Sequence, residues 1–226
     1  MLPSSTVENY LKAIYQAQTA LEDDTTLVPM GHLASALGVV PGTATTMVKT
    51  LSDSGLVTYE PYAGVRLTDA GNRLAALVLR RHRLVELFLV QVIGMSWAEV
   101  HEEAEHLEHA VSDRLIERID ELLGRPAVDP HGDPIPDPKG AVAKHRYHSL
   151  LTCQLDETVV VARVLDQDAA FLHFLEGYDL KPGQPITVTA RDPAADSVNV
   201  VSGDHRHLTI GTGAASKVLV EVRRRV

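Results

Sequence analysis

The stretch MGHLASALGVVPGTATTMVKTLSDSGLVTYEPYAGVRLT, residues 30–68, decides the reading of the fold. Met30, Leu33, Ala34 and Leu37 recur at helical spacing, and Gly38 can end that short helix. Pro41 can open a second helix that runs to Ser54 and stops before Gly55. The two helices meet across Gly38-Val39-Val40, and the residues after Gly55 read as two short strands around a turn near Ala63 and Gly64. Helix, turn, helix and hairpin in that order describe a winged helix-turn-helix, whose second helix enters the DNA major groove. Its early exposed side chains should be short and polar, and Thr43, Thr45 and Thr46 fit that need for base edges, thymine methyls or phosphates. Lys49 suits a phosphate, as does Arg66 in the hairpin, while Met47, Val48 and Leu51 face the core. Threonines that merely cap and solvate a small helix are the plain alternative; the order of elements weighs against it.

Working outward, Val7, Leu11, Ile14 and Tyr15 predict a helix from Ser5 to about Leu21, capped by Ser5 or Thr6 with Glu8 nearby. Downstream, Thr68 caps a long helix reaching about Ile93, with Leu74, Leu77, Val78, Leu84, Leu87 and Phe88 as its apolar positions. Ser96 caps another helix to about Val111, and Ser112 begins one that Gly124 and Pro126 stop. Prolines at 126, 130, 134, 136 and 138 exclude regular helix and mark a connection or flexible linker. Beyond Leu151 the pattern turns to short β-branched runs at Val159–Leu165, Ile186–Ala190, Val198–Val201, His207–Ile210 and Val218–Val222, with a helix from Asp168 to Glu176 between the first two. These suggest a small barrel-like β domain, so the fold class expected is mainly α with a small β domain.

Composition sets the outer limits. A chain of 226 residues with 45% apolar content can bury more than one core. No apolar run approaches the roughly 18 to 20 residues of a membrane span, and Met1–Thr6 lacks the features of a secretory signal, so a cytoplasmic protein is expected. The single cysteine, Cys153, fits a reducing compartment and reads as a small hydrophobe. A net charge of −9 sits badly with DNA until it is divided along the chain. Residues 1–94 hold 7 Lys/Arg against 8 Asp/Glu, residues 95–140 hold 4 against 12, and residues 141–226 hold 10 against 10. The first segment can still present a basic face to phosphates, while the acidic middle suits a divalent cation or is simply a solvated helix.

That middle segment carries the second chemistry. In Trp97-Ala-Glu-Val-His-Glu-Glu-Ala-Glu-His-Leu-Glu-His109, helical spacing puts His101, Glu105, Glu108 and His109 on one face, beside an apolar stripe of Val100, Ala104, Leu107 and Val111. Carboxylates and imidazoles crowded on one face repel or desolvate one another unless a cation joins them. The preceding long helix adds His82 and Glu86 one turn apart, a second wall for such a cluster. An oxygen-rich set with imidazoles and no thiolate suits Mn2+ or Fe2+ better than a closed structural zinc site, although affinity order alone favours zinc or copper.

Four stretches together, Glu8-Asn-Tyr-Leu-Lys-Ala-Ile-Tyr15, Tyr59-Glu-Pro-Tyr-Ala-Gly64, Arg81-His-Arg-Leu-Val-Glu86 and Val100–His109, resemble the diphtheria-toxin-repressor family. The resemblance implies a homodimeric, metal-dependent repressor of metal-uptake promoters. It implies a winged helix-turn-helix over 1–70, a helical dimerisation and metal-sensing region over 71–140, and an SH3-like β-barrel over 150–226, with Asp179-Leu-Lys-Pro-Gly183 as the opening turn of the last. It also implies central ligands Glu105, Glu108 and His109 joined by His82, and an ancillary site of His82, Glu86 and His101. Glu105 stands where the iron-responsive branch has cysteine and the manganese transport regulators have glutamate, which points to Mn2+ with Fe2+ as the alternative. Asn9, a candidate ligand, stands where those regulators place an aspartate, and Lys12 where they place a glutamate. Ala162 and Leu165 occupy the positions from which the iron branch draws ligands in its SH3-like domain.

Two rivals stand beside this reading. A zinc hydrolase helix of the His-Glu-x-x-His kind needs a second histidine one turn after His101, where Glu105 stands instead. A winged-helix regulator that senses an organic ligand would leave the acidic helix merely solvated.

Overall fold

In the computed structural model, which describes residues 4–19, 21, 26–143, 145–203 and 205–222, the helical spacing around residues 30–68 produces the expected elements. The opening Met1–Pro3, part of the stretch read for a leader, lie outside the described residues. Contacts divide the chain into two units, residues 1–82 with 136–142 and residues 83–135 with 143–226.

In the first unit α1 (Ser5–Thr19), α2 (Met30–Ala36) and α3 (Pro41–Asp53) precede a hairpin of β1 (Val57–Glu60) and β2 (Gly64–Leu67). Leu11 and Ile14 of α1, Leu33 of α2, and Ala44, Val48 and Leu51 of α3 meet Val57 and Val65 in one core. Each fully buried Leu or Ile there contributes about 1.5–3 kcal/mol. The hairpin is fixed at its root. The Val28 amide donates to the Val65 carbonyl at 2.8 Å, the Val65 amide donates back at 3.0 Å, and the Gln18 side-chain oxygen accepts from the Leu67 amide at 3.0 Å. Gly64 sits at φ +148°, where a Cβ would lie 2.5 Å from the Val28 carbonyl oxygen, so only glycine lets the hairpin close on residue 28.

The long helix α4 (Asp69–Phe88) begins in the first unit and supplies the opening residues of the second. The expected extension to Ile93 is present as a π-helical turn, Leu89–Ile93, closed by Gly94 at φ +81°. In the second unit α5 (Val100–Leu107) and α6 (Asp113–Leu122) pack Val100, Ala104, Ile116 and Ile119 against Leu84, Val85 and Leu87. Ser112 caps α6 by accepting from the Leu115 amide. The helix expected from Ser96 to about Val111 spans only Val100–Leu107: Trp97 and Ala98 are drawn into the core of the β domain, and Glu108 and His109 lie in the turn that follows.

That β domain holds β3 (His148–Ser149), β4 (Thr158–Val164), α7 (Ala169–Gly177), β5 (Pro185–Asp192), β6 (Ser197–Ser202), β7 (His207–Gly211), α8 (Thr212–Ala215) and β8 (Val218–Val222). Its antiparallel sheet has the order β3-β8-β4-β5-β6-β7. Bulges at Val161/Arg163 and Val188/Ala190 curve it around Leu150, Leu172, Leu175 and Val198. The barrel expected from sequence is not closed: among the described residues β3 and β7 remain as two edges. β3 and α8 were not expected, being too short to show a period. No helix of the described residues is long and apolar enough to cross a membrane.

The proline-rich segment departs most from expectation. Residues 127–135 are not a free linker. The Asp129 amide donates to the Asp133 carbonyl at 3.0 Å, and Asp129 Oδ1 accepts from the amides of His131 at 2.8 Å and Asp133 at 3.0 Å. The resulting turn docks on β4 through the Val164 amide, which donates to the His131 carbonyl at 2.9 Å. Gly132, at φ +85°, lets the backbones touch, since a Cβ there would lie 2.0 Å from the Ala162 carbonyl oxygen. Gly132→Ala is therefore expected to destabilise the protein by about 2 kcal/mol or more, seen as a lowered midpoint of urea unfolding.

Candidate functional site

Glu86 is the centre of the acidic machinery. It lies on α4, is 0% exposed, and directs its two oxygens at two histidines. Oε1 is 3.1 Å from His101 Nδ1 on α5, and His101 Nε2 is in turn 3.6 Å from Glu105 Oε1. Oε2 is 3.9 Å from Nδ1 of His131, a residue that is also 0% exposed. Further along, Glu108 is fully buried, with Oε1 3.3 Å from Nε2 of the part-buried His109. The second unit thus brings together Glu86, His101 and Glu105 as one chain of contacts, and pairs Glu108 with His109. His82 is buried on α4 one turn before Glu86, so the two share a face of one helix.

Sequence reasoning missed Asp129 and His131, which the docked turn delivers to Glu86. Ligand atoms of Glu86, Asp129 and His131 lie within 4.8 Å of one another, and all three side chains are buried. His131 stacks on Trp97 at 5.6 Å, and its Nε2–H donates to the Trp97 carbonyl at 2.8 Å. That bond puts a proton on Nε2, while Nδ1, buried and without a hydrogen-bond partner, is directed toward Glu86 Oε2. A buried polar nitrogen without a partner is costly, and a cation between it and the carboxylate would satisfy both. The donor set of two carboxylates and one imidazole fits a divalent metal of the manganese, iron or zinc kind.

The surrounding charges hold this arrangement in place. Arg83 Nε lies 3.5 Å from Asp129 Oδ2, its guanidinium 3.8 Å from Asp133 Oδ1, and it donates to the Pro134 carbonyl at 2.5 Å. Arg163 on β4 pairs with Asp133, and Gln167 donates to the same carboxylate at 2.9 Å. Burial, then the charges of Asp133 and Glu86, pushes the Asp129 carboxyl well above the usual carboxylate range, with Arg83 opposing.

The remaining candidates lie in the first unit. Asn9 is half-buried on α1, next to a buried Glu8 whose Oε1 is 3.4 Å from Arg81 NH1; Lys12 is buried one turn on. On α3, Thr43, Thr46 and Lys49 are exposed and Thr45 half-exposed, and Arg66 is exposed on β2. The Thr45 hydroxyl donates to the Pro41 carbonyl at 2.9 Å and the Thr46 hydroxyl to the Gly42 carbonyl at 3.0 Å. Both therefore offer methyl groups and acceptor lone pairs outward rather than donors.

A helix-turn-helix with a fixed wing, followed by a long helix that carries the buried His82 and Glu86, fits a metal-dependent DNA-binding regulator. Comparison with known proteins carries this further. Residues 3–65 match the iron dependent repressor N-terminal DNA binding domain, residues 68–137 the iron dependent repressor metal binding and dimerisation domain, and residues 148–222 the FeoA domain. The iron-dependent repressor IdeR of Mycobacterium leprae (strain TN) is 30% identical over 228 residues, spanning 96% of each chain. A manganese-dependent transcriptional repressor solved in complex with manganese is 39% identical, with a TM-score of 0.86 over 96% of this chain and all of that one. The manganese regulator SloR is 32% identical, with a TM-score of 0.75 over 96% of this chain and 98% of that one. The chain belongs to the diphtheria-toxin-repressor family of metal-dependent, DNA-binding transcription repressors. The family is one of repressors, not enzymes, so the hydrolase reading of His101-Glu102 is set aside.

Removing the central cation of the cluster should be severe. Arg83→Met leaves the buried Asp129 and the Asp133 carboxylate short of their counter-charge, and is expected to cost about 3–5 kcal/mol in urea unfolding of metal-free protein.

Proposed function

We propose that this chain represses metal-uptake genes in response to manganese, binding operator DNA as a homodimer in the cytoplasm where that DNA resides. The observation that carries the choice of metal is the donor set: oxygen and imidazole nitrogen throughout, with Glu105 and Asp129 carboxylates and no thiolate. The relatives add weight, since similar solved structures include a repressor in complex with manganese and a manganese regulator. Ferrous iron is the second reading, favoured by the mycobacterial iron-dependent repressor.

In this reading Glu105, Glu108 and His109, joined by His82 and by the amide oxygen of Asn9, hold one cation. Glu86, Asp129 and His131 hold another, with His101 steadying Glu86 from its other oxygen. A bound divalent cation supplies positive charge that lets neighbouring carboxylates stay ionised together. The protein's own part is positional. Glu86 and His82 lie on α4, the helix that continues from the wing, so ordering their side chains favours one placement of the reading helices. Exposed Leu115 and Leu122 on α6, with Val92 and Ile93, supply an apolar surface for a second copy. Residues 1–70 would read DNA, 71–140 dimerise and sense metal, and the β domain steady the docked turn.

Operator binding by full-length protein, titrated with chelator and then with Mn2+, Fe2+ and Zn2+, tests this. Manganese should tighten binding about tenfold to a hundredfold, a coupling of about 1.4–2.7 kcal/mol. Glu105→Ala with Glu108→Ala should abolish the metal dependence, and Asp129→Ala with His131→Ala should reduce the manganese bound per chain. Unchanged metal-dependent binding in the first pair would sink the proposal, and a response to iron alone would transfer it to the second reading.

A further inference from the structure

The wing carries a residue that folding alone does not account for. Tyr62 is fully exposed, at 107% of its reference area, and sits at φ +66°. The four residues Glu60-Pro61-Tyr62-Ala63 form a turn closed by the Ala63 amide, which donates to the Glu60 carbonyl at 3.1 Å. Proline suits the second place of such a turn, whereas a positive φ at the third is the province of glycine or asparagine. A tyrosine there is strained by its Cβ, and here its ring buries no surface in return.

The base of the wing is rigid where the tip is bare. The Val28–Val65 bridge and the space that only Gly64 can fill anchor the hairpin two residues beyond Tyr62. Tyr59 turns back to pack against the core, so Tyr62 alone of the wing's aromatics is displayed. On β2 the exposed Arg66 provides a positive charge suited to a phosphate, while the exposed Glu60 at the start of the turn disfavours close phosphate approach to the tip. An uncharged ring with a hydroxyl suits what lies between phosphates, the apolar face of deoxyribose at the rim of the minor groove.

We propose that Tyr62 is a DNA-contacting residue, its ring packed on the deoxyribose edge of the minor groove beside the major-groove site read by α3. The proposal rests on the DNA-binding role of the winged helix, and its test separates the two. Full-length protein in manganese is titrated against a duplex selected by the wild type from metal-uptake promoter fragments, using Tyr62→Gly, Tyr62→Phe and Lys49→Ala, with thermal unfolding of each variant. Tyr62→Gly relieves the strain and should unfold at the same temperature or higher, yet bind about fivefold more weakly or worse, while Tyr62→Phe stays within about twofold of wild type. Wild-type affinity in Tyr62→Gly alongside a weakened Lys49→Ala overturns the tyrosine contact and leaves the winged helix in place. Wild-type affinity in both overturns the contact together with the DNA-reading assignment of α3. An equal loss in Tyr62→Phe and Tyr62→Gly overturns the packing on sugar, because the hydroxyl then carries the contact.

Discussion

A fully buried carboxylate, Glu86, sets the terms for the second unit. An ionised group in the interior is tolerated only when paired and hydrogen-bonded. Glu86 is met on one side by His101 from α5, and its other oxygen faces the unpartnered His131 Nδ1 of the docked turn. The turn brings two further acids, Asp129 and Asp133, and these require Arg83 and Arg163 in their turn. Elements distant in sequence are thereby held by one electrostatic problem, and apolar packing around Leu84, Val100 and Ile135 keeps water from dissolving it.

The first unit works by a different principle. Its core is apolar, its turns are fixed by backbone bonds, and its polar groups face outward where nucleic acid can meet them. Thr45 and Thr46 spend their hydroxyl protons on the helix behind them, so they turn methyl groups and acceptor oxygens outward, beside the exposed Thr43 and Lys49. Methyl groups and acceptor oxygens suit thymine methyls better than the bidentate reading that arginine gives to guanine. α4 begins in this unit, and its later residues, Glu86 among them, belong to the second.

Much of this was legible in the sequence because it repeats. The period of Leu33, Leu37, Val48 and Leu51, punctuated by Gly38, Pro41 and Gly55, specifies the helix-turn-helix within a residue or two of its observed ends. The spacing of His101 and Glu105, and of His82 and Glu86, likewise puts each pair on a helix face. What escaped has no period. Asp129 and His131 come from a turn whose shape depends on Gly132 and on a strand some thirty residues later, and prolines in such a stretch look the same whether the backbone is free or pinned. Asp129-Pro-His-Gly-Asp133 did hold a signal, alternating acids and an imidazole around a glycine, but only tertiary contact shows that it turns inward. Ser96 failed as a helix start for a related reason: Trp97 gains more from the β domain's core than from another turn of helix.

The docking of the turn on β4 has a consequence for how such a chain can change over generations. Val164, Arg163 and Gln167 of the β domain satisfy His131 and Asp133 of the proline-rich segment, and Gly132 fits only the carbonyl it faces. The β domain is therefore not a detachable cassette. Its loss or exchange in this chain would strip the turn of those partners, unless the turn changed with it.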